Sequence, residues 1–428
     1  MKYRITAPRS IQGRACLPAS KSISNRALIL QALAGGESAA LRNLSDCDDT
    51  FVMIRALEHP QAELVDIMAA GTAMRFLTAY YAVTPGTRTL TGTERMRQRP
   101  IHLLVDALRT LGADIQYAGE EGFPPLRITG RRLSGNSLTL PAGVSSQYIS
   151  ALLMIAPLLP EGLTLRLTGT VISRPYIDLT LQMMRTFGAK AGWESDPDAV
   201  LRVEPVPYRP TPYTVENDWS AASYWYEMLF LAPEGGTLFL PHLHEKSMQG
   251  DSHVAQLFAP LGIHTTYTDE GITLSRTAAC IEPGGVYEEN FLQCPDLAQT
   301  FVAACPPMGI SFRFGGLQSL KIKETDRIAA LRREMGKLHY AIEETESAQE
   351  GTVLFHQSDN TLDNHPATAE ADAPIATYKD HRMAMAFAPL ALRLPYIEIS
   401  DPAVVSKSYP SYWDELRKAG FRIEESEE

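Results

Sequence analysis

The chain has no apolar run of about eighteen residues, so no segment reads as a membrane-spanning helix. Its first ten residues, MKYRITAPRS, lack the apolar centre of a secretory signal. Cysteine is scarce. The five residues Cys16, Cys47, Cys280, Cys294 and Cys305 show no CxxC and no zinc-like Cys/His spacing, and their odd number argues against a disulfide framework. A reducing compartment fits, and the cytoplasm is the expected location. Positive charge is in deficit: 39 Lys and Arg stand against 50 Asp and Glu, a net charge of −11. That balance argues against general affinity for nucleic acid or an anionic membrane, so any anion site has to be local.

What is present is a pattern. In LPASKSISNRALILQALAGG, a polar cluster of Ser20, Lys21, Ser22, Asn25 and Arg26 opens a helix otherwise made of Ala, Leu and Ile. The design recurs in AAGTAMRFLTAYYAV, GVSSQYISALLMIAP, NDWSAASYWYEMLFL, CPDLAQTFVAACPPM and YKDHRMAMAFAPLAL, with helices opening near residues 20, 71, 145, 218, 296 and 380. Each is followed by a turn, a β-like run and a second, more amphipathic helix, as in GLTLRLTGT and SRPYIDLTLQMMRTFG. The pattern predicts an α/β fold with mixed sheets, the first helices inside and the second outside.

At 428 residues the chain exceeds the roughly 250–300 residues of a single core, so two domains are expected. Three copies fall in residues 18–215, and three in residues 1–17 together with 216–428. The first copy is trimmed, because only EHPQAELVDIM connects its second helix to Gly71. The last copy ends after the single strand of GFRIEESEE, whereas the chain begins with an orphan strand, KYRITAP. The two termini are therefore expected to complete one unit, which joins the N-terminal strand to the C-terminal half.

Positive side chains collect at the helix openings: Lys21, Arg26, Arg75, Arg97, Arg99, Arg174, Lys321, Lys323, Arg327, Arg382 and Lys407. Helix N-termini add free N–H groups and partial positive charge. Two such faces predict a cleft for small ligands bearing several negative charges. Arg99, Arg327 and Arg382 suit bidentate grip of carboxylate or phosphate, and Lys21, Lys323 and Lys407 act as point charges. Asp296 and Glu324 lie among them as candidate acid and base.

SKSISNRAL, AGTAMRFL, RMRQRPIHLLVDALR, SSQYISALLM, SRPYIDLT, KETDRI, DHRMAMAF and SKSYPSYWDEL occur in the order of one family. On these motifs the chain resembles the enolpyruvyl transferases, in the branch that uses shikimate 3-phosphate. The resemblance implies an inside-out barrel of two domains, each of three βαβαββ units around buried helices, that closes on substrate by a hinge. It implies transfer of the enolpyruvyl group of phosphoenolpyruvate to the 5-hydroxyl of shikimate 3-phosphate by addition and elimination. Phosphate is released, no metal or other cofactor takes part, and a monomer with no macromolecular partner is expected.

By the same resemblance Asp296 is the base at the hydroxyl, Glu324 handles the proton at C3, and Lys21 assists. Phosphoenolpyruvate is expected against Lys21, Gly71, Arg99, Gln147, Arg327, Arg382 and Lys407. Shikimate 3-phosphate is expected against Lys21, Ser22, Arg26, Ser145, Ser146, Gln147, Ser173, Tyr176, Asp296 and Lys323. Three positions depart from the family pattern: Ala69 and Ser319 where Asn is usual, and Phe76 where Pro is usual. Two rivals stand beside this reading. One is the branch that acts on UDP-N-acetylglucosamine, which usually carries a reactive Cys in the loop matching residues 93–100; none is present here. The other is a non-catalytic phosphometabolite-binding relative.

Simpler roles exist for several of these residues. Ser22, Ser145, Ser146, Asp296 and Asp218 could cap helices, a role preferred for Asp218 alone. Glu324 and Arg327 have the spacing of an ordinary helical pair. His381 divides evenly between orienting a neighbour and touching ligand, and Cys294 is expected to be a buried packing residue.

Overall fold

A computed structural model of the chain describes residues 1–143, 145–195, 199–232, 236–345, 352–355 and 373–426. The chain divides into two compact units, Ala19–Val215 and the pair of segments Met1–Pro18 and Glu216–Glu428. Among the described residues each unit holds three sheets.

Four of the six sheets share one order. A lead-in strand runs parallel to the strand that comes after a buried helix, and an antiparallel pair completes the sheet. In the continuous unit Leu64–Asp66 lies beside Gly86–Thr91, followed by Leu126–Gly130 and Asp114–Tyr117. Ser137–Pro141 likewise lies beside Leu163–Thr168, followed by Val200–Val203 and Ala191–Ser195. In the other unit the same order joins Gln12–Arg14, Thr237–Pro241, Gly271–Arg276 and Ile263–Thr268. It also joins Val286–Asn290, Ser311–Gly315, Thr352–Phe355 and Glu343–Thr345. The alternation in Leu163–Thr168, LTLRLT, turns its leucines inward and Arg166 outward, which fixes the register.

The two remaining sheets are variations. Tyr213–Thr214 pairs in parallel with Leu41–Arg42 and, among the described residues, with no further strand, at the copy whose sequence lacks a strand pair. Lys2–Thr6 lies between Ile397–Ser400 and Arg422–Ser426, antiparallel to both, with Ile375 bridging to Ile399. The lead-in strands also explain why the chain crosses twice between units. Gln12–Arg14 and Tyr213–Thr214 each stay in one unit while the helix after them, Lys21–Leu33 or Trp219–Leu231, belongs to the other.

Helices apolar on all sides are inside. Gly71–Val83 buries 11 of its 13 residues and Trp219–Leu231 buries 12 of 13, whereas the amphipathic Arg174–Thr186 buries only 6 of 13. Capping side chains hold the openings. Ser20 accepts from the Ile23 N–H, Asp218 from the Ala221 N–H, Asp326 from the Ala329 N–H and Asp380 from the Arg382 N–H. Among the described residues no helix is long and apolar enough to cross a membrane.

Candidate active site

In the discontinuous unit the candidate residues form one ion network. Asp296 sits in the short helical turn Pro295–Leu297 that opens Ala298–Ala304. Its Oδ1 accepts from Arg327 Nη1 at 2.8 Å and lies 3.3 Å from Lys323 Nζ, and its Oδ2 is 3.2 Å from Arg382 Nη2. Arg327, 2 % exposed, also donates from Nη2 to Glu324 Oε2 at 2.9 Å and from Nε to Asp380 Oδ2 at 2.6 Å. Arg382 Nη1 is held by the Tyr224 hydroxyl at 3.4 Å. Lys407 ends the turn Pro402–Lys407, which packs on helix His381–Phe387.

Burial on its own would raise the Asp296 carboxyl, but Arg382, Lys323 and Arg327 together hold it well below the usual carboxylate range. Burial would likewise weaken the Arg327 charge, yet Asp380, Glu324 and Asp296 keep it firmly protonated. Asp251 joins the edge of this group. It is buried, accepts a short hydrogen bond from Ser220 Oγ, and is pushed up to about 6, first by burial, with Arg382 opposing and Asp296 and Asp218 reinforcing.

In the continuous unit each opening of a buried helix is held by side chains of its neighbours. Lys21 Nζ pairs with Asp49 at 3.2 Å. Gln147 Nε2 donates to Thr72 Oγ1 at 3.2 Å, next to Gly71. Tyr148 donates its hydroxyl proton to the Pro100 carbonyl at 2.6 Å, which anchors the turn carrying Arg99. A Cβ on Gly71 would come 2.9 Å from Arg99 Nη1 and 3.0 Å from Arg75 Nη1, so both guanidinium groups lie over the bare α-carbon. Ser145 accepts from the Gln147 N–H, and Ser146 begins the helix Ser146–Ile155.

Arg26 is turned into the unit. Its guanidinium donates to Thr180 Oγ1 at 2.7 Å, the Ser22 carbonyl at 2.9 Å, Ser150 Oγ at 3.1 Å and the Tyr176 carbonyl at 3.4 Å, and it lies 5.2 Å above the Phe76 ring. Burial lowers it to about 10, so it stays charged at neutral pH. Ser173 caps Arg174–Thr186 from a left-handed conformation, φ 54°, and its carbonyl accepts from the Tyr176 N–H.

Other expected members are occupied elsewhere. Lys321 forms an ion pair with Glu344, and Arg174 lies against Trp193 and 3.8 Å from Asp178. Of the three departures, Phe76 is a buried ring, Ala69 is half-buried, and Ser319 Oγ is buried with no hydrogen-bond partner among the described residues. Cys294 is buried, which pushes its thiol far above the range of a nucleophile. Asp49, Thr72, Tyr224 and Asp251 were not legible as members, because each is marked only by a spatial neighbour, and Asp380 was passed over although it stands two residues before Arg382.

The family model described as EPSP synthase (3-phosphoshikimate 1-carboxyvinyltransferase) matches residues 5–65 and 55–416. The chain belongs to this family. The 3-phosphoshikimate 1-carboxyvinyltransferase of Bacteroides fragilis strain YCH46 is 56% identical over 430 residues, covering 100% of both chains. That of Escherichia coli strain SMS-3-5 is 34% identical over 433 residues, covering 95% of this chain and 96% of its own. The EPSP synthase structure from Acinetobacter baumannii superposes with a TM-score of 0.76 at 19% identity, over 99% of this chain and 100% of that one, and so shares the fold. Membership favours the shikimate branch over the UDP-amino-sugar branch.

Proposed function

We propose that the protein transfers the enolpyruvyl group of phosphoenolpyruvate to the 5-hydroxyl of shikimate 3-phosphate and releases phosphate. It does so as a cytoplasmic monomer in the shikimate route to aromatic amino acids. The observation that carries the reading is the Asp296 carboxylate bound by Arg327, Arg382 and Lys323, with Glu324 on the same arginine.

Without substrate, Asp296 is too weak a base, because three cations stabilise its charge. Anionic substrates compete for those cations. Phosphoenolpyruvate engages Arg327 and Arg382, with Lys21, Gly71, Arg99, Gln147 and Lys407 as its further contacts. Shikimate 3-phosphate takes Lys323 together with Ser22, Arg26, Ser145, Ser146, Gln147, Ser173 and Tyr176. Asp296 is thereby released to accept the hydroxyl proton as the 5-oxygen bonds to C2. Glu324 gives C3 the proton that makes it a methyl group, and Lys21 steadies the developing charge. Elimination returns the C3 proton to Glu324 and breaks the bond from C2 to the phosphate oxygen, and the proton held by Asp296 leaves with the released phosphate. Arg26, inside its unit, would act on shikimate 3-phosphate mainly by holding the Ser22 carbonyl and the Tyr176 segment.

Phosphate assay of the purified protein tests this. Release is expected only with both substrates present; tight binding without release would instead favour the non-catalytic reading.

A further inference from the structure

Two left-handed residues in succession precede the ion network. Tyr378 has φ 53° and Lys379 φ 57°, a conformation that side chains with a Cβ avoid unless their surroundings impose it. The next residue is Asp380, which accepts from Arg327 and caps the helix that bears Arg382. The surroundings that impose it lie on helix Arg327–Lys337. Glu334, fully buried there, accepts from the Tyr378 hydroxyl at 2.5 Å, the Ala376 N–H at 2.9 Å and Lys337 Nζ at 2.6 Å. Lys337 also donates to the Pro374 carbonyl at 2.8 Å. From the other side Arg333 Nη1 reaches the Tyr378 hydroxyl at 3.4 Å, with its guanidinium 5.7 Å from the ring.

Arg327 and Glu334 are seven residues apart, two helical turns or about 10 Å along one face. One end of that face holds Asp380 and the other holds Tyr378. We propose that Glu334 and Tyr378 are positioning residues: with Arg327 they clamp the 378–380 turn at two points of one rigid helix and so set the direction of Arg382. Neither residue touches the reacting atoms. The inference rests on the phosphoenolpyruvate role given to Arg382 above.

The test compares Tyr378→Phe, Tyr378→Phe/Lys379→Gly and the parent protein. Phe keeps the ring against Arg333 but loses the bond to Glu334. The KM for phosphoenolpyruvate should rise about tenfold, a loss of roughly one charge-assisted hydrogen bond, while that for shikimate 3-phosphate and the thermal midpoint stay near parent values. Glycine at 379 adopts positive φ without a Cβ penalty, so the double variant should recover most of the loss. A parallel change in both KM values, or no recovery with glycine, overturns the proposal. Amide exchange of residues 380–383 in the substrate-free protein separates the clamp from the function: it should quicken in Tyr378→Phe and slow again in the double variant, even if the proposed reaction does not occur. Unchanged exchange in Tyr378→Phe would overturn the clamp itself.

Discussion

Gly71 and Arg99 are placed so that a methyl group on the glycine α-carbon would sit 2.9 Å from the arginine Nη1. The neighbour that must yield is the far end of a flexible side chain, so an added methyl moves the guanidinium and leaves the fold intact.

Gly71→Ala should therefore leave the thermal midpoint within about 2 °C, the scale of a surface substitution. Its KM for phosphoenolpyruvate should rise by about one to two orders of magnitude, the worth of one hydrogen bond to a charged group. Steady-state kinetics with each substrate varied in turn checks the selectivity.

Asp296→Ala and Glu324→Ala should keep much of their substrate affinity and lose turnover by about two to four orders of magnitude, the usual contribution of a positioned acid or base. Titration calorimetry beside single-turnover phosphate release separates the two effects. Near-normal turnover in both variants would remove the acid/base assignment.

Asp251 links pH to stability. Burial lifts its carboxyl from an ordinary value to about 6, so the folded state binds more protons than the unfolded state between about pH 4 and pH 6. Its contribution is fully present below the unfolded value and is lost as pH rises through that window, by an amount of about 2–3 kcal/mol. Asp251→Asn keeps an acceptor for Ser220 and removes the titration. Denaturant melts at pH 4, 5 and 7 should show the parent losing stability across the window relative to the variant.

Glu227 lies fully buried on helix Trp219–Leu231, and neither carboxyl oxygen has a hydrogen-bond partner among the described residues. Burial raises its carboxyl well above the ordinary value and so favours the neutral form. Replacement by an apolar side chain of similar length removes an unsatisfied group. Glu227→Met should stabilise the fold by about 1–3 kcal/mol, and the gain should grow as pH rises above the ordinary carboxylate range, because the raised carboxyl resists ionisation in the folded state. Thermal melts from pH 6 to pH 9 measure it.

The buried helices and the strands after them were legible because their signals are local. An all-apolar stretch such as Trp219–Leu231 has no face to offer water, and LTLRLT alternates with the period of a strand. The openings of those helices were legible from their polar clusters; of the capping candidates, Asp218 and Ser145 accept from N–H groups of the first turn, whereas Ser20 and Asp380 hold openings where the sequence pointed to other residues or to none. The partners within the site were not. Asp296 meets Arg327 across 31 residues and Arg382 across 86, distances over which no periodicity speaks. For the same reason Lys321 and Arg174 looked equivalent to Lys323 and Arg99, although they pair with Glu344 and Asp178. Charge type is written locally, whereas the choice of partner is made by packing.

The strand Lys2–Thr6 has both of its neighbours more than 390 residues downstream. During synthesis it must wait, unpaired, until Arg422–Ser426 has been made. The continuous unit Ala19–Val215 is under no such constraint. At about 5–20 residues per second, the ribosome leaves it roughly ten to forty seconds in which to fold before the first strand of the chain finds its place.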